Sequence, residues 1–158
     1  MDLLYLDYNC FQRPFDQPLD ARIQLEALAC LEVFRRADEG TVKLVWSFIH
    51  QDEATLCPFL ERKAETLRLA AICAIRRGPT KGIQSNAEAW GSEQNLSPKD
   101  ALHIASAVEA KATHFLTCDD RLLRRAARLN LKIALMNPVN YVHRRQTTIQ
   151  SASMESRH

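Results

Sequence analysis

Apolar residues along the chain form two kinds of pattern, short continuous runs and stripes with three- and four-residue spacing. The runs are rich in apolar or β-branched residues and predict buried strands over 3–6, 42–46, 113–118 and 131–136. The stripes predict helices after Ser47 and over 20–38, 60–77, 98–111 and 120–129. Strands that alternate with helices predict an α/β fold, with a mainly parallel central sheet flanked by helices in three layers.

Glycine and proline mark where these elements end. Gly40 ends the first long helix, and Pro58 divides the helix that Ser47 caps. Residues 78–96 show no clear period, so we predict an irregular stretch with a short helix near 86–90. We expect residues 1–142 to form one domain and the polar segment 143–158 to be a flexible tail.

Composition narrows the class of protein. Of the 158 residues, 46% are hydrophobic and 25% are charged, as is typical of globular domains. No apolar run approaches the roughly 20 residues that cross a bilayer, and the N-terminus lacks the basic region of a signal peptide. We therefore expect a cytoplasmic protein without membrane association. Five cysteines without a C-x-x-C pair favour reduced, mostly buried thiols over a disulfide framework or a zinc site.

Four acids are predicted to meet at one edge of the sheet. Asp7 in "YLDYN" and Asp119 in "FLTCDD" each directly follow a predicted strand. Glu53 lies about one and a half turns into the helix after Ser47, and Asp100 lies in the first turn of its helix. Ligands of parallel sheets bind beyond the carboxyl ends of the strands, where these four positions converge.

Each acid also has a structural explanation. Asp119 can cap the following helix, Asp100 fits a capping motif, and Asp7 can open a loop. Asp52 competes with Glu53, since spacing alone favours neither. The combination is more specific, because clustered carboxylates repel one another unless a cation neutralises them. Oxygen ligands alone favour Mg²⁺ or Mn²⁺.

Three segments of the chain resemble PIN-domain nucleases. "LLYLDYN" is similar to the opening strand and Asp-x-Asn of that family, and "WSFIHQDEA" to its second strand, serine and helix glutamate. "PKDALHIASAVEAKATHFLTCDDRLLRRA" is similar to the third acid, the following helix and strand, and Thr-x-Asp. The resemblance extends over residues 3–136. The chain departs from the family pattern over 78–96 and at Pro58, which leaves Glu53 the least secure of the four acids.

The resemblance implies a PIN-like three-layer fold and a Mg²⁺- or Mn²⁺-dependent endoribonuclease. The catalytic and metal-binding acids are then Asp7, Glu53, Asp100 and Asp119. Three further residues are expected to orient these acids without binding the metal directly: Asn9, Thr117 and Asp120. Many family members are VapC-like ribonuclease toxins, so RNA is the expected substrate and an antitoxin the expected partner. The sequence leaves open whether the target is RNA or DNA, and whether the chain forms a homodimer.

A basic stretch follows the third acidic motif. Residues 121–146 contain seven Lys/Arg and no Asp/Glu. Such a stretch can contact a phosphate backbone, although a solvated helix face is the alternative explanation. The candidates for phosphate contact are Arg121, Arg124, Arg125 and Arg128.

Other chemistries fit the sequence less well. His50-x-x-Glu53 and Asp100-x-x-His103 resemble the ligand pairs of di-iron helical bundles, but the predicted strands argue against a bundle. A phosphotransfer receiver normally has a lysine at the end of a late strand, whereas the last strand here ends in "LMNP". The remaining alternative is a catalytically inactive PIN-like module that binds RNA or a protein.

Overall fold

The computed structural model describes residues 1–144 and contains a five-stranded sheet in which every pairing is parallel. Its strands are β1 (Leu3–Leu6), β2 (Lys43–Ser47), β3 (Ile75–Arg77), β4 (His114–Leu116) and β5 (Ala134–Met136). Their order across the sheet is β3-β2-β1-β4-β5. Leu4 of the central strand is in register with Leu44 on one side and His114 on the other.

Helices occupy most of the remaining described chain. A short α1 (Tyr8–Gln12) leads into a 3-10 helix (Arg13–Phe15). The longer helices are α2 (Ala21–Asp38), α3 (Phe48–Leu56), α4 (Leu60–Ala70), α5 (Lys81–Gln94), α6 (Pro98–Glu109) and α7 (Asp120–Ala127). Residues 138–144 are helical as well. Side-chain caps fix several starts, as where Asp20 Oδ1 accepts a hydrogen bond from the backbone nitrogen of Ile23.

The expected three-layer arrangement is confirmed by two apolar cores, one on each face of the sheet. Leu4 and Leu6 pack in the core that contains Phe11 of α1 and Phe34 of α2. Tyr5 points to the opposite face, whose core is built from α5, α6 and α7. Alternate residues of one strand therefore serve both layers, as the two-residue period of a strand requires.

Two predicted elements were wrong. The helix expected over 60–77 ends at Ala70, and residues 75–77 form the edge strand β3, in register with Val45–Ser47. Ala71 and Ile75 continue the helical spacing, which conceals the change. The stretch 78–96 is not irregular but holds the 14-residue helix α5, capped by Thr80 and closed by Asn95 at φ 53°.

The two glycines of α5 made this helix hard to predict from the sequence, but they allow it to pack closely against α6. A Cβ at Gly91 would lie 3.6 Å from Ala101 Cβ of α6, and one at Gly82 would lie 3.2 Å from Glu109 Oε2. Both glycines therefore face α6 closely, and this contact compensates for their low helix propensity.

The other predicted elements are present, with β4 and β5 shorter than the predicted runs 113–118 and 131–136, and part of the predicted tail falls outside the described chain. Pro58 separates α3 from α4, and Gly40 follows α2 with φ 82°. No helix within residues 1–144 is long and apolar enough to cross a membrane. Of the predicted tail, residues 143 and 144 continue the last helix, and 145–158 lie outside the described residues.

Candidate metal-binding active site

Asp7 lies where the strand order of the sheet reverses. The chain moves outward from β1 through β2 and β3 on one side, and through β4 and β5 on the other. Ligands bind open parallel sheets beyond the carboxyl ends of the strands at such a point. Asp7 directly follows β1, is 7% exposed, and donates its backbone N–H to Leu116 O of β4 at 2.8 Å. A buried carboxylate is thus built into the ligand-binding edge.

Asn9 and Thr117 hold one oxygen of this carboxylate. Thr117 Oγ1 donates to Asp7 Oδ2 at 2.7 Å, and Asn9 Nδ2 donates to the same oxygen at 3.1 Å. Asn9 Nδ2 also contacts Thr117 Oγ1 at 3.1 Å. The predicted orienting role of these two residues is therefore consistent with their contacts, which leave Asp7 Oδ1 available.

Asp119 is a helix cap, and capping does not occupy the whole carboxylate. Its Oδ1 accepts from the backbone nitrogens of Arg121 and Leu122 at 3.0 and 3.2 Å. Its own backbone nitrogen donates to Thr117 Oγ1 at 3.1 Å. Thr117 thus links Asp7 and Asp119, and Asp119 Oδ2 takes no part in the cap.

Glu53 is held by a chain of buried hydrogen bonds. His103 Nε2 of α6 lies 2.6 Å from Glu53 Oε1, and His103 Nδ1 lies 2.7 Å from the Tyr5 hydroxyl. An ionised Glu53 only accepts, so His103 donates from Nε2 and its Nδ1 accepts from Tyr5. The Tyr5 hydroxyl also contacts Ser47 Oγ at 2.7 Å. Burial raises the pKa of Tyr5 far above its usual value, so the hydroxyl keeps its proton.

His50 joins the start of α3 to the end of β1. Its Nδ1 accepts from the Ser47 backbone nitrogen at 2.9 Å, and its Nε2 donates to Leu6 O at 2.6 Å. Burial lowers the pKa of His50 well below 6.5, so the imidazole is neutral. His50 therefore links the end of β1 to the start of α3 through buried hydrogen bonds, and both elements position candidate site residues.

The acids influence one another electrostatically. Burial raises the pKa of Asp7, and the negative charges of Asp100 and Glu53 raise it further. Burial also raises the pKa of the half-buried Asp100, with added repulsion from Asp119 and Glu53. All four predicted acids therefore share one electrostatic neighbourhood, which a bound cation would stabilise.

The donor set fits a hard cation that keeps part of its water. Within residues 1–144, no three carboxylate oxygens from different acids lie within 4.8 Å of one another. Mg²⁺ is commonly bound through one or two carboxylates and retains several waters. The carboxylates Asp7, Glu53, Asp100 and Asp119 could hold such an ion partly through those waters.

A family model for the PIN domain matches residues 17–129. The chain belongs to the PIN-domain family. The matched segment includes Glu53, Asp100 and Asp119, whereas Asp7 precedes it. Curated protein sequences include no match to this PIN domain.

Solved structures share the fold of this PIN domain at low sequence identity. FitAcB from Neisseria gonorrhoeae is 18% identical, with a TM-score of 0.57 over 85% of this chain and 97% of that one. VapBC2 from Rickettsia felis, bound to a DNA fragment from its promoter, is 12% identical, with a TM-score of 0.59 over 85% and 98%. VapBC-1 from nontypeable Haemophilus influenzae is 16% identical, with a TM-score of 0.55 over 86% and 98%.

Asp120 faces away from the predicted carboxylates and toward α2. Its two oxygens accept from Arg22 Nη1 and Nη2 at 2.7 and 2.8 Å. The bidentate pair explains why Asp120 does not turn toward Asp7, and it lowers the pKa of Asp120. Asp120 therefore joins α7 to α2 in the PIN domain and does not orient the other acids.

The four predicted phosphate-binding arginines have different environments. Arg121, Arg124 and Arg128 are exposed on α7. Arg125 is partly buried, and its Nη1 donates to Asn95 O at the end of α5 at 2.8 Å. Three of the four side chains are therefore accessible to a polyanion, while Arg125 also connects two helices.

Sequence reasoning missed the residues that hold Glu53. The sequence paired His103 with Asp100 by spacing, yet its hydrogen-bond partner is Glu53 on another helix. Tyr5 was interpreted only as a strand residue. A tyrosine within an apolar strand was the available signal, because a buried hydroxyl needs a partner.

Proposed function

We propose that this PIN domain is a Mg²⁺- or Mn²⁺-dependent endoribonuclease and the toxin of a toxin–antitoxin pair. The observation that carries the proposal is the buried Asp7 carboxylate at the reversal point of the sheet. Burial and the charges of Asp100 and Glu53 raise its pKa, so the ionised carboxylate is unfavourable without a counter-ion. Family membership supports phosphodiester hydrolysis as the reaction.

The residues of the chain would prepare the site in three ways. A bound divalent ion supplies charge for the phosphate oxygens and acidifies a water molecule. Thr117 and Asn9 fix Asp7 Oδ2, so that Oδ1 keeps one direction. His103 fixes Glu53 in the same manner. The exposed arginines of α7 begin two residues after Asp119 and would hold the phosphates of an RNA strand.

Cleavage of RNA by the purified chain tests the proposal. We expect cleavage with Mg²⁺ or Mn²⁺, loss of cleavage with EDTA, and recovery when the ion is restored. Asp7→Asn should lower the rate by at least about 100-fold, more than loss of an outer-shell partner costs. The matched pair is Glu53→Gln and Asp52→Asn, since the exposed Asp52 lies next to Glu53 on the same helix. Equal rates in this pair would contradict the assignment of Glu53.

The inactive-module alternative gives a different result in the same assay. The wide spacing of the carboxylate oxygens within residues 1–144 is compatible with this alternative, as it is with an ion held partly through water. An inactive module would bind RNA without metal-dependent cleavage, and Asp7→Asn would not weaken binding. Single-stranded DNA of the same sequence serves as the control for substrate class.

We also propose an antitoxin as partner, and α2 offers a surface for it. Two of the structural neighbours are named VapBC, and the sequence resemblance to VapC-like toxins implies the same kind of partner. Leu25, Leu28 and Leu31 are 55%, 64% and 50% exposed at three-residue spacing, so they line one side of α2. Exposed apolar patches of this kind mark protein interaction sites.

The antitoxin to test is any small protein found to be encoded beside this chain. Co-purification should yield a complex that suppresses cleavage. Replacing Leu25 and Leu28 with Ser should weaken the complex, whereas Leu60→Ser, at an 81% exposed leucine of α4, should not. If only Leu60→Ser weakened it, the interface would lie on α4 and not on α2.

A further inference from the structure

Three cysteine sulfurs meet in the core on the α2 side of the sheet. The Sγ atoms of Cys10, Cys30 and Cys118 all lie within 4.8 Å of one another, and all three residues are buried. They come from α1, from α2 and from the loop after β4. All five cysteines of the chain are free, so no disulfide accounts for the meeting.

The spacing of the sulfurs suits a thiophilic cation. Sulfurs bound to one Zn²⁺ at about 2.3 Å are about 3.8 Å apart in tetrahedral geometry. Each sulfur–sulfur distance would therefore shorten by about 1 Å at most when one ion is bound. Small changes in the cysteine side-chain torsions allow such a shift. Thiolates select soft d¹⁰ ions such as Zn²⁺ and Cu⁺ over Mg²⁺ and Mn²⁺.

A buried cation–carboxylate pair borders the cluster. Arg13 Nε lies 3.3 Å from Glu26 Oε1, and Glu26 is 2% exposed. The Arg13 guanidinium also interacts with Cys118, which places positive charge beside the sulfurs. Cys73 provides a contrast, because it is buried but belongs to no group of three metal-binding side chains among residues 1–144.

We propose that Cys10, Cys30 and Cys118 bind one soft d¹⁰ cation, Zn²⁺ or Cu⁺, at a site separate from the four carboxylates. As each sulfur–metal bond forms, any proton on that thiol is released to solvent. Cu⁺ is satisfied by the three sulfurs alone. Zn²⁺ takes a fourth ligand, and Asn9 Oδ1, 3.5 Å from Cys10 Sγ, has a second lone pair for it beside the one that accepts from the Cys118 backbone nitrogen.

The cluster lies directly behind the carboxylate edge. Asn9 Oδ1 accepts from the Cys118 backbone nitrogen at 3.3 Å, while Asn9 Nδ2 donates to Asp7. Metal bound by Cys10 and Cys118 would therefore fix both the residue that follows Asn9 and the loop to which Asn9 is hydrogen-bonded. The site would stabilise the part of the fold that positions Asp7.

Metal binding by the full chain tests this proposal without reference to cleavage. The reduced, metal-free protein is kept under argon with excess Mg²⁺, which occupies oxygen sites and does not compete for thiolates. Co²⁺, as a probe for Zn²⁺, should produce thiolate-to-metal charge-transfer absorption that saturates at one ion per chain. Cu⁺ is titrated in parallel against a chelator of known affinity.

Cys30→Ala and Cys73→Ala form the matched pair, since both remove a buried thiol and neither is in the carboxylate site. Cys30→Ala should weaken binding by at least about 100-fold, and Cys73→Ala should leave it unchanged. X-ray absorption of the wild-type protein needs no variant. Three sulfur neighbours would support Cu⁺, and three sulfurs with one light atom Zn²⁺. Oxygen neighbours alone, or no binding, would overturn the proposal.

Discussion

His103 of α6 hydrogen-bonds Glu53 of α3 through Nε2 and Oε1, 2.6 Å apart. This contact joins two helices that each carry a candidate site residue, and Tyr5 supports it from the central strand at 2.7 Å. The position of Glu53 is therefore set by the core of the domain rather than by α3 alone. Glu53 is therefore held by contacts with the core, although α3 ends shortly after it, before Pro58.

Tyr5→Phe should separate positioning from folding. The variant keeps the ring but leaves His103 Nδ1 and Ser47 Oγ without their buried partner, which should cost about 1–3 kcal/mol of unfolding free energy. His103 then reorients more freely, and the cleavage rate should fall by about 10-fold or more with little change in KM. Denaturant unfolding and steady-state kinetics measure the two effects. Phe115→Leu, which alters the ring stacked on Tyr5 without removing a polar group, is the packing control.

Asp7→Asn should stabilise the metal-free protein in a pH-dependent manner. The folded-state pKa of Asp7 is raised above 3.8, so the unfolded state loses its proton first as pH rises. The difference in unfolding free energy between the wild type and the variant should thus be smallest below pH 3.8. It should grow in favour of the variant as pH rises and level off above the folded-state pKa of Asp7. Urea unfolding of both proteins across this pH range measures the gain. A tenfold difference in proton affinity between the folded and unfolded states corresponds to about 1.4 kcal/mol of unfolding free energy.

Adding Mg²⁺ or Mn²⁺ should reverse the order at neutral pH. Wild-type protein should gain melting temperature by mass action, and Asp7→Asn should gain less. Asp52→Asn, on the exposed side of α3, controls for general charge effects. A variant less stable than wild type at every pH would show that Asp7 is a structural residue.

Two substitutions can distinguish the capping role of Asp119 from its proposed metal-binding role. Asparagine is as good an N-cap as aspartate, so Asp119→Asn should preserve stability while lowering metal affinity and cleavage. Asp119→Ala should lose both, with about 1 kcal/mol of stability. Thermal unfolding and metal titration of the two variants provide the comparison. If Asp119→Asn cleaves like wild type, the aspartate is a cap alone.

The arginines of α7 should differ in their effect on RNA affinity. Arg121 and Arg124 lie nearer the carboxylates along the helix than Arg128, so their Gln variants should weaken binding more. Each lost phosphate contact lowers the slope of log affinity against log salt by about one. Arg125→Gln should also reduce stability, because it removes the bond to Asn95 O. Unchanged slopes in all four variants would indicate that RNA binds elsewhere.

Strand ends and periodicity were enough to predict four of the five strands, the three layers and the sheet edge that carries Asp7. Asp7 and Asp119 were found because they follow apolar runs directly. The edge strand β3 was missed because Ile75 continues the spacing of α4, and strand pairing with Val45 is a tertiary effect. The contact between Glu53 and His103 joins residues 50 positions apart, so no local sequence pattern predicts it.

The cysteine cluster shows the same limit. Widely spaced cysteines without C-x-x-C were interpreted as isolated buried thiols, yet the fold brings Cys10, Cys30 and Cys118 together. Their meeting depends on α1, an element that the sequence did not predict, packing between α2 and the end of β4. Local spacing identifies metal sites only when the ligands share one loop or helix.

The pairing of β1 with β4 has a consequence for how the protein is made. Leu4 is in register with His114, so the second partner of the central strand comes more than 100 residues later in the chain, well after β2. Such long-range closure is slow and late in folding. A ribosome-bound chain that has emerged only to residue 110 carries Asp7, Glu53 and Asp100 but neither β4 nor Thr117. Synthesis thus delays completion of the sheet edge at which Asp7 lies, because β4 and Thr117 are made more than 100 residues after β1.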